Sequence, residues 1–382
     1  MTAIARIKII KRPKPIAKIV LTGGGTGGHV SPNIALIPAL ELDAWEVEYI
    51  GSENGIEKKL IADVGIPYHG ISSGKLRRYF DWQNFIDPFK VIKGIFDAYG
   101  AIAKIKPQAV FSKGGFVSVP VIFASWLQRI PVIIHESDFS PGLANKLSIF
   151  FATKICVTFP ETIQYLAKYS TKVHHTGLPI RADLQDGNPD FGRKFCGFND
   201  DSPVLFVVGG STGSAKINQA VRGILHELTQ QFQVVHACGK GNLDPSLNTY
   251  PRYRQFEYLG TELADVLAIA DVVVSRSGAN AIFEFLTLRK PHLLIPLSKA
   301  SSRGDQILNA NSFNSRGYSA VLFEENLTHE SLLTAIADLH DHRDDYIQNM
   351  NQSEDANAIG QIVSLLREFR DKKAQSALPK TN

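Results

Sequence analysis

The chain has 382 residues, 44% of them apolar and 20% charged; this is enough for two ordinary domains with substantial cores and too balanced for a disordered chain. Cys156, Cys196 and Cys238 are widely spaced, with no CxxC pairing, so neither a disulfide framework nor a zinc site is implied and a reducing cytosol suits the chain. No apolar run approaches the roughly 20 residues of a membrane span, and the net charge of +4 divides unevenly, +8 over residues 1–180 and −4 over 181–382.

In chain order, residues 1–16 form a basic extension, read as a solvated arm: Ala5–Lys18 holds six basic residues and no acidic one. "KIVLTGGGTGGHVSPNIAL", Lys18–Leu36, then reads as strand, glycine turn and helix, with Pro32 placed for the helix's first turn. "EVEYIG" is the next strand. "GKLRRYFDWQNFIDPFKVIKGIF", Gly74–Phe96, sets Lys75, Arg77 and Arg78 beside aromatic residues. Phe89, Val91 and Ile95 are expected in the core, while Phe80, Trp82 and Phe85 with the three cations match an interfacial patch on a bilayer. The strands "PQAVFSKGG", "PVIIHES" and "KICVTF" follow, and a Gly/Pro/Asp-rich connector spans residues 177–190. The grammar restarts at "PVLFVVGGSTGSAKINQAV" and continues through "FQVVHACGKG", "QFEYLG", "DVVVSRSGANAIFEFL" and "PHLLIPL". Alternating strands and helices predict α/β architecture with parallel sheets: a domain over 17–179 and a second over 180–358. A final helix over 359–375 carries Ile359, Ile362, Val363, Leu365, Leu366 and Phe369 near helical spacing and should pack on a partner surface.

Gly23, Gly25 and Gly28 fit GxGxxG, a turn whose amides, with the helix behind, form an anion site. A dinucleotide-binding dehydrogenase would need an acid about 20 residues on; Glu53 is late and lies in a loop-like stretch. The second turn, Gly209–Ser214, places another anion site in the other domain, which suits a reaction between two phosphorylated substrates. Glu284, six residues past Gly278, can face the cleft and accept hydrogen bonds from a ribose diol, or serve as a capping or solvated helix residue. Asp305, Gln306 and Asn309 stand at a helix start, where they can read sugar hydroxyls or act as ordinary N-terminal residues. No DxD metal-binding motif is present.

"GGGTGGHVSP", "FSKGGFVSVP", "IIHESDFSPGLANK", "GLPIR", "GGSTGS", "SRSGANAIFEFLTLRKP" and "DQILNA" occur in the order and spacing of the MurG family, the peptidoglycan N-acetylglucosaminyltransferases that convert lipid I to lipid II. The chain resembles that family, in its Gram-positive form, over nearly everything after residue 17. The resemblance implies a GT-B glycosyltransferase fold, two doubly wound Rossmann-like domains facing a central cleft. UDP-N-acetylglucosamine would be held mainly by the second domain and lipid I by the first. On this basis Gly24, Gly25, Thr26, Gly27 and Gly28 cradle the acceptor's diphosphate and His29 takes the proton of the muramoyl C4 hydroxyl; His135, Glu136 and Asp138 are second candidates that organise the acceptor, with His135 equally readable as a satisfied histidine at a strand end. Arg181 and Ser211, with Thr212 and Gly213 of the same glycine turn, lie near the donor's pyrophosphate, and Arg276 is a further donor-binding residue. Glu284 takes the ribose diol, and Asp305 and Gln306 lie by the donor sugar. Asp305 stands where some relatives have glutamine, and Phe116 replaces a tyrosine. The last helix would cross back to the first domain. An inverting single displacement is implied, with the leaving UDP held by amides and Arg181, so neither metal nor other cofactor is required. The implied partners are the two substrates, the anionic inner leaflet of the cell membrane, which the protein meets peripherally from the cytoplasm, and other cell-wall enzymes, with no nucleic acid. A UDP-N-acetylglucosamine 2-epimerase or a diacylglycerol glycosyltransferase of the same fold is the alternative.

Overall fold

The computed structural model describes residues 13–74, 83–210, 212–298 and 304–377. The first sheet is built from β1 (Ala17–Thr22), β2 (Trp45–Ser52), β3 (Tyr68–Ile71), β4 (Ala109–Ser112), β5 (Val132–Glu136), β6 (Lys154–Val157) and β7 (Val173–His175), all parallel, in the order β3-β2-β1-β4-β5-β6-β7. The second contains β8 (Val204–Val208), β9 (Gln233–Ala237), β10 (Tyr253–Phe256), β11 (Val272–Ser275), β12 (His292–Leu294) and β13 (Ala320–Val321), in the order β10-β9-β8-β11-β12-β13.

Near-continuous apolar strands suit these sheets because helices cover both faces. Side chains alternate across the pleat. Ile19 and Leu21 pack into one core and Val20 into the core opposite; in the second sheet Leu205 and Val207 separate from Val204 and Phe206 in the same way. Each strand order reverses at one place, between β1 and β4 and between β8 and β11. There the connections leave in opposite directions and open a crevice at the carboxyl edge, the position where such sheets bind ligands.

The final helix, Ala358–Ala377, leaves the second domain and covers the first: Ile362, Val363, Leu366 and Phe369 share a core with Ile19, Leu36 and Phe111. Polar contacts flank that stripe. Arg367 Nε lies 2.7 Å and Arg370 Nη1 3.2 Å from the Asp43 carboxylate, and Lys154 Nζ lies 2.7 Å from Glu368. Leu366 is fully buried, so Leu366→Ala is expected to destabilise the fold by about 2–5 kcal/mol through lost burial and a residual cavity, measurable by urea denaturation.

In the segment around residues 74–96 the structure departs from the sequence expectation at Val91 and Ile95. Lys75, Arg77, Arg78, Phe80 and Trp82 lie outside the described residues, as do the side chains of Phe85 and Phe89. A single helix runs from Gln83 to Ile105, and its buried stripe is Gly94, Ala98, Ile102 and Ile105. Val91 and Ile95, expected in the core, are only half-buried because they flank this stripe. Ile92, Phe96 and Tyr99 face outward, with Phe96 72% exposed.

Candidate active site

The turn after β1 runs through Gly23–Gly28 into a short 3-10 turn, Gly27–His29, and then the helix Ser31–Leu42, whose N-terminus no side chain caps. Gly25 has φ +86°, with open space where a side chain would stand, so the backbone itself forms the wall of the cleft. The cleft has a volume of about 970 Å³ and is lined by Gly24, Gly25, Thr26, His29, Glu136 and Asp138 of the first domain, with Asp305 from the second. Ser140 donates a 3.4 Å hydrogen bond to Asp305 across the gap. A Cβ at Gly28 would stand 3.7 Å from Asn280 Nδ2, so this turn faces the start of the helix after β11 in the second domain.

The His29 ring is half-buried, with Nδ1 3.1 Å from the Thr26 hydroxyl. Burial pushes its pKa down to about 4. Lys113 acts in the same direction, while the Gly24 backbone and Glu57 oppose it. The imidazole is therefore neutral throughout the physiological range, the state a proton acceptor needs.

His135 has a different environment. It is fully buried: its Nε2 lies 2.9 Å from the Gly177 carbonyl and its Nδ1 2.8 Å from Lys113 Nζ. With Nε2–H donating to the carbonyl, Nδ1 accepts from the ammonium, and both ring nitrogens are occupied inside the protein. Burial and the Lys113 charge hold its pKa well below the ordinary value. Its place is that of an anchor for the loop after β5. Glu136 fastens the same loop, accepting from Asp138 N at 2.9 Å, Gly142 N at 2.9 Å and Asn145 Nδ2 at 2.8 Å. Lys113 also donates to the Ser137 hydroxyl. Burial pushes the Lys113 ammonium down to about 8 against the pull of Glu136 and Asp138.

In the second domain, Glu284 lies on the helix Ala279–Leu288, which starts directly after β11. Its carboxylate accepts no hydrogen bond among the described residues. Burial raises its pKa to about 7, with Arg181 lowering and Asp183 raising it. Arg181 keeps its side chain 40% exposed, with Nε 3.6 Å from Asp183. Thr212 is exposed and Gly213 half-buried in the turn after β8, and Ser211 lies outside the described residues. Arg276 is buried among Ser214 at 2.8 Å, Glu324 at 2.6 Å and the Ile295 carbonyl at 2.9 Å. That environment makes it a brace between the glycine turn and the far edge of the sheet. The Gln306 side chain accepts from Leu297 N at 3.0 Å. Among the described residues no three His, Cys, Asp or Glu side chains converge as metal ligands.

The model of the glycosyltransferase family 28 N-terminal domain matches residues 19–157, and that of the glycosyltransferase family 28 C-terminal domain matches residues 204–364. The UDP-N-acetylglucosamine--N-acetylmuramyl-(pentapeptide) pyrophosphoryl-undecaprenol N-acetylglucosamine transferase of Geobacillus kaustophilus is 55% identical, covering 92% of this chain and 98% of its own. The protein of the same name from Lachnospira eligens is 57% identical, covering 92% and 99%. This chain belongs to the MurG family. The fold agrees: the crystal structure of Acinetobacter baumannii MurG superposes with TM-score 0.72 at 23% identity, covering 93% of this chain and 100% of that one. A UDP-N-acetylglucosamine 2-epimerase from Neisseria meningitidis, TM-score 0.66 at 14% identity over 92% of this chain and 100% of that one, shares the two-domain architecture alone.

In this MurG-family chain, sequence reasoning passed over Lys113, Asn145 and Glu57, three polar side chains that are nearly or fully buried beside the first-domain site. A signal was available for the first: a lysine closing the apolar strand "AVFSK" must find acceptors inside the fold.

Proposed function

We propose that this chain transfers N-acetylglucosamine from UDP-N-acetylglucosamine to the C4 hydroxyl of undecaprenyl-diphospho-N-acetylmuramoyl-pentapeptide, with inversion at the donor's anomeric carbon. The observation that carries the reading is the pair of glycine turns, one at each sheet's reversal point, with His29 beside the first of them on the wall of a cleft that Asp305 of the second domain also lines. The first turn takes the acceptor's diphosphate, whose charge suits uncapped helix amides. His29, with its proton on Nδ1 and directed at Thr26, offers Nε2 to the C4 hydroxyl. The hydroxyl oxygen attacks from the face opposite UDP, the anomeric C–O bond breaks, and the leaving diphosphate gathers charge beside Arg181 and the second turn. Glu284 accepts from the ribose diol, and Asp305 and Gln306 lie towards the donor sugar.

The reading places the protein on the cytoplasmic face of the membrane, held by its first domain. Among the described residues no helix is long and apolar enough to cross a bilayer. Exposed Phe96, Trp126, Leu127 and Leu147 nevertheless stand on successive helices of that domain, with exposed Phe150 just past the last of them, and such side chains can lie at a headgroup boundary. Lys75, Arg77, Arg78, Phe80, Trp82 and Phe85, three cations and three aromatic residues, would supply the same membrane contact by their chemistry.

Incubation with UDP-N-acetylglucosamine and lipid I is expected to yield UDP and a β-1,4-linked disaccharide lipid in equal amounts, and neither product without lipid I. Epimerisation of the donor in the absence of acceptor would overturn the reading.

A further inference from the structure

The glycine turn after β1 is shaped from behind by a buried carboxylate. Glu57, in the first turn of the helix Ile56–Val64, is fully buried. Its Oε2 accepts from Gly25 N at 3.2 Å, and its Oε1 accepts from Ser52 N at 3.0 Å and from the Ser52 hydroxyl at 2.5 Å. Three glycines make room for it: a Cβ at Gly24 would stand 2.5 Å from Glu57 Cδ, one at Gly51 would stand 2.9 Å from Cγ, and one at Gly55 would overlap both carboxylate oxygens. From the opposite side Gly115 closes on Gly24, whose carbonyl a Cβ at 115 would overlap. The Gly24–Gly25 backbone is thus clamped between the carboxylate and the turn after β4.

Among the described residues no cationic side chain forms an ion pair with Glu57. A buried charge without a counter-charge costs several kcal/mol unless hydrogen bonds compensate it, so the three donors determine where it sits. The arrangement also sorts the amides of the turn. Gly25 N–H is drawn inward, while those of Thr26, Gly27 and Gly28 have no backbone partner among the described residues.

We propose that Glu57 is a positioning residue for the acceptor: by holding the Gly25 N–H inward, it sets the turn so that the Thr26, Gly27 and Gly28 amides meet the acceptor's diphosphate. This rests on the reading of that turn as the diphosphate site. Glu57→Gln keeps the shape but points an NH2 group at one of the donors, so the turn must rotate. The expected result is an acceptor KM raised about tenfold or more, the scale of a hydrogen bond to a charged group, with UDP-N-acetylglucosamine affinity unchanged by calorimetry. Ser52→Ala, which removes one of the three bonds and keeps the carboxylate, should give a smaller rise in the same constant and decides the matter if the glutamine variant does not fold. Gly27→Ala, placing a methyl in the open mouth of the turn, tests the underlying reading. If Gly27→Ala raises the acceptor KM while the Glu57 and Ser52 variants leave it at the wild-type value, the role of Glu57 is overturned and the turn keeps its assignment. If none of the three raises it, both fall. Equal losses of donor and acceptor affinity in Glu57→Gln would mark general damage and also overturn the proposal.

Discussion

Replacing His29 with alanine is expected to lower kcat by roughly 10²–10⁴-fold, the range spanned by positioned general bases, while the dissociation constant for UDP stays at its wild-type value. The separation follows from placement: His29 belongs to the turn after β1 of the first sheet, whereas Glu284 lies on the helix after β11 of the second. A pH profile adds a second readout. The base works in its neutral form, and burial holds its pKa at about 4 rather than 6.5. Acceptor kcat/KM at saturating donor should therefore keep its plateau as the pH falls through 6 and bend only near the lower value. An alanine variant with wild-type turnover assigns the proton to another group, and an acid limb centred on 6.5 removes the buried-imidazole account.

The second large effect is expected at Glu284. Glu284→Ala should weaken UDP-N-acetylglucosamine binding by about 1.5–3 kcal/mol, the worth of hydrogen bonds to a charged acceptor. Desolvation raises the carboxyl pKa to about 7, and a diol donates more strongly to the ionised form than to the protonated one. Affinity should therefore rise as the pH increases through 7 and fall as it drops below. The donor's diester phosphates do not titrate in that window, so the dependence reports the carboxyl. Glu284→Gln should abolish it. Calorimetry from pH 5.5 to 8.5 on both proteins checks the sign, and a flat wild-type profile would mean that the carboxyl is already ionised or does not meet the donor.

Neighbouring residues divide the work of sequence and fold. His29 follows an apolar strand and His135 stands near the end of one, both beside residues suited to a site, and neither stretch by itself says which ring is free. What does is the Gly177 carbonyl, brought from 42 residues away, together with the Lys113 ammonium, which occupies both nitrogens of one ring and leaves the other ring beside the cleft. Arg276 and Arg181 separate similarly: Glu324, 48 residues distant in sequence, draws the first into the domain interior, while the second stays exposed. Glu57 was invisible because its signature is the absence of side chains at Gly24, Gly51 and Gly55, three positions that converge only after β1, β2 and the following helix have packed.

By itself the sequence determined the alternation of strand and helix, both glycine turns and the apolar stripe of the last helix. These are short-range properties: pleat and helix periodicity act within a few residues, and a turn's dihedrals are local to its glycines. Only the tertiary structure decided which surface received that stripe, how far the helix Gln83–Ile105 turned Phe96 outward, and which buried polar groups became anchors. Those outcomes depend on desolvation and on hydrogen-bond partners supplied by distant segments. The free energy of a charge or an imidazole is set by its completed surroundings, and those exist only once the sheets have closed.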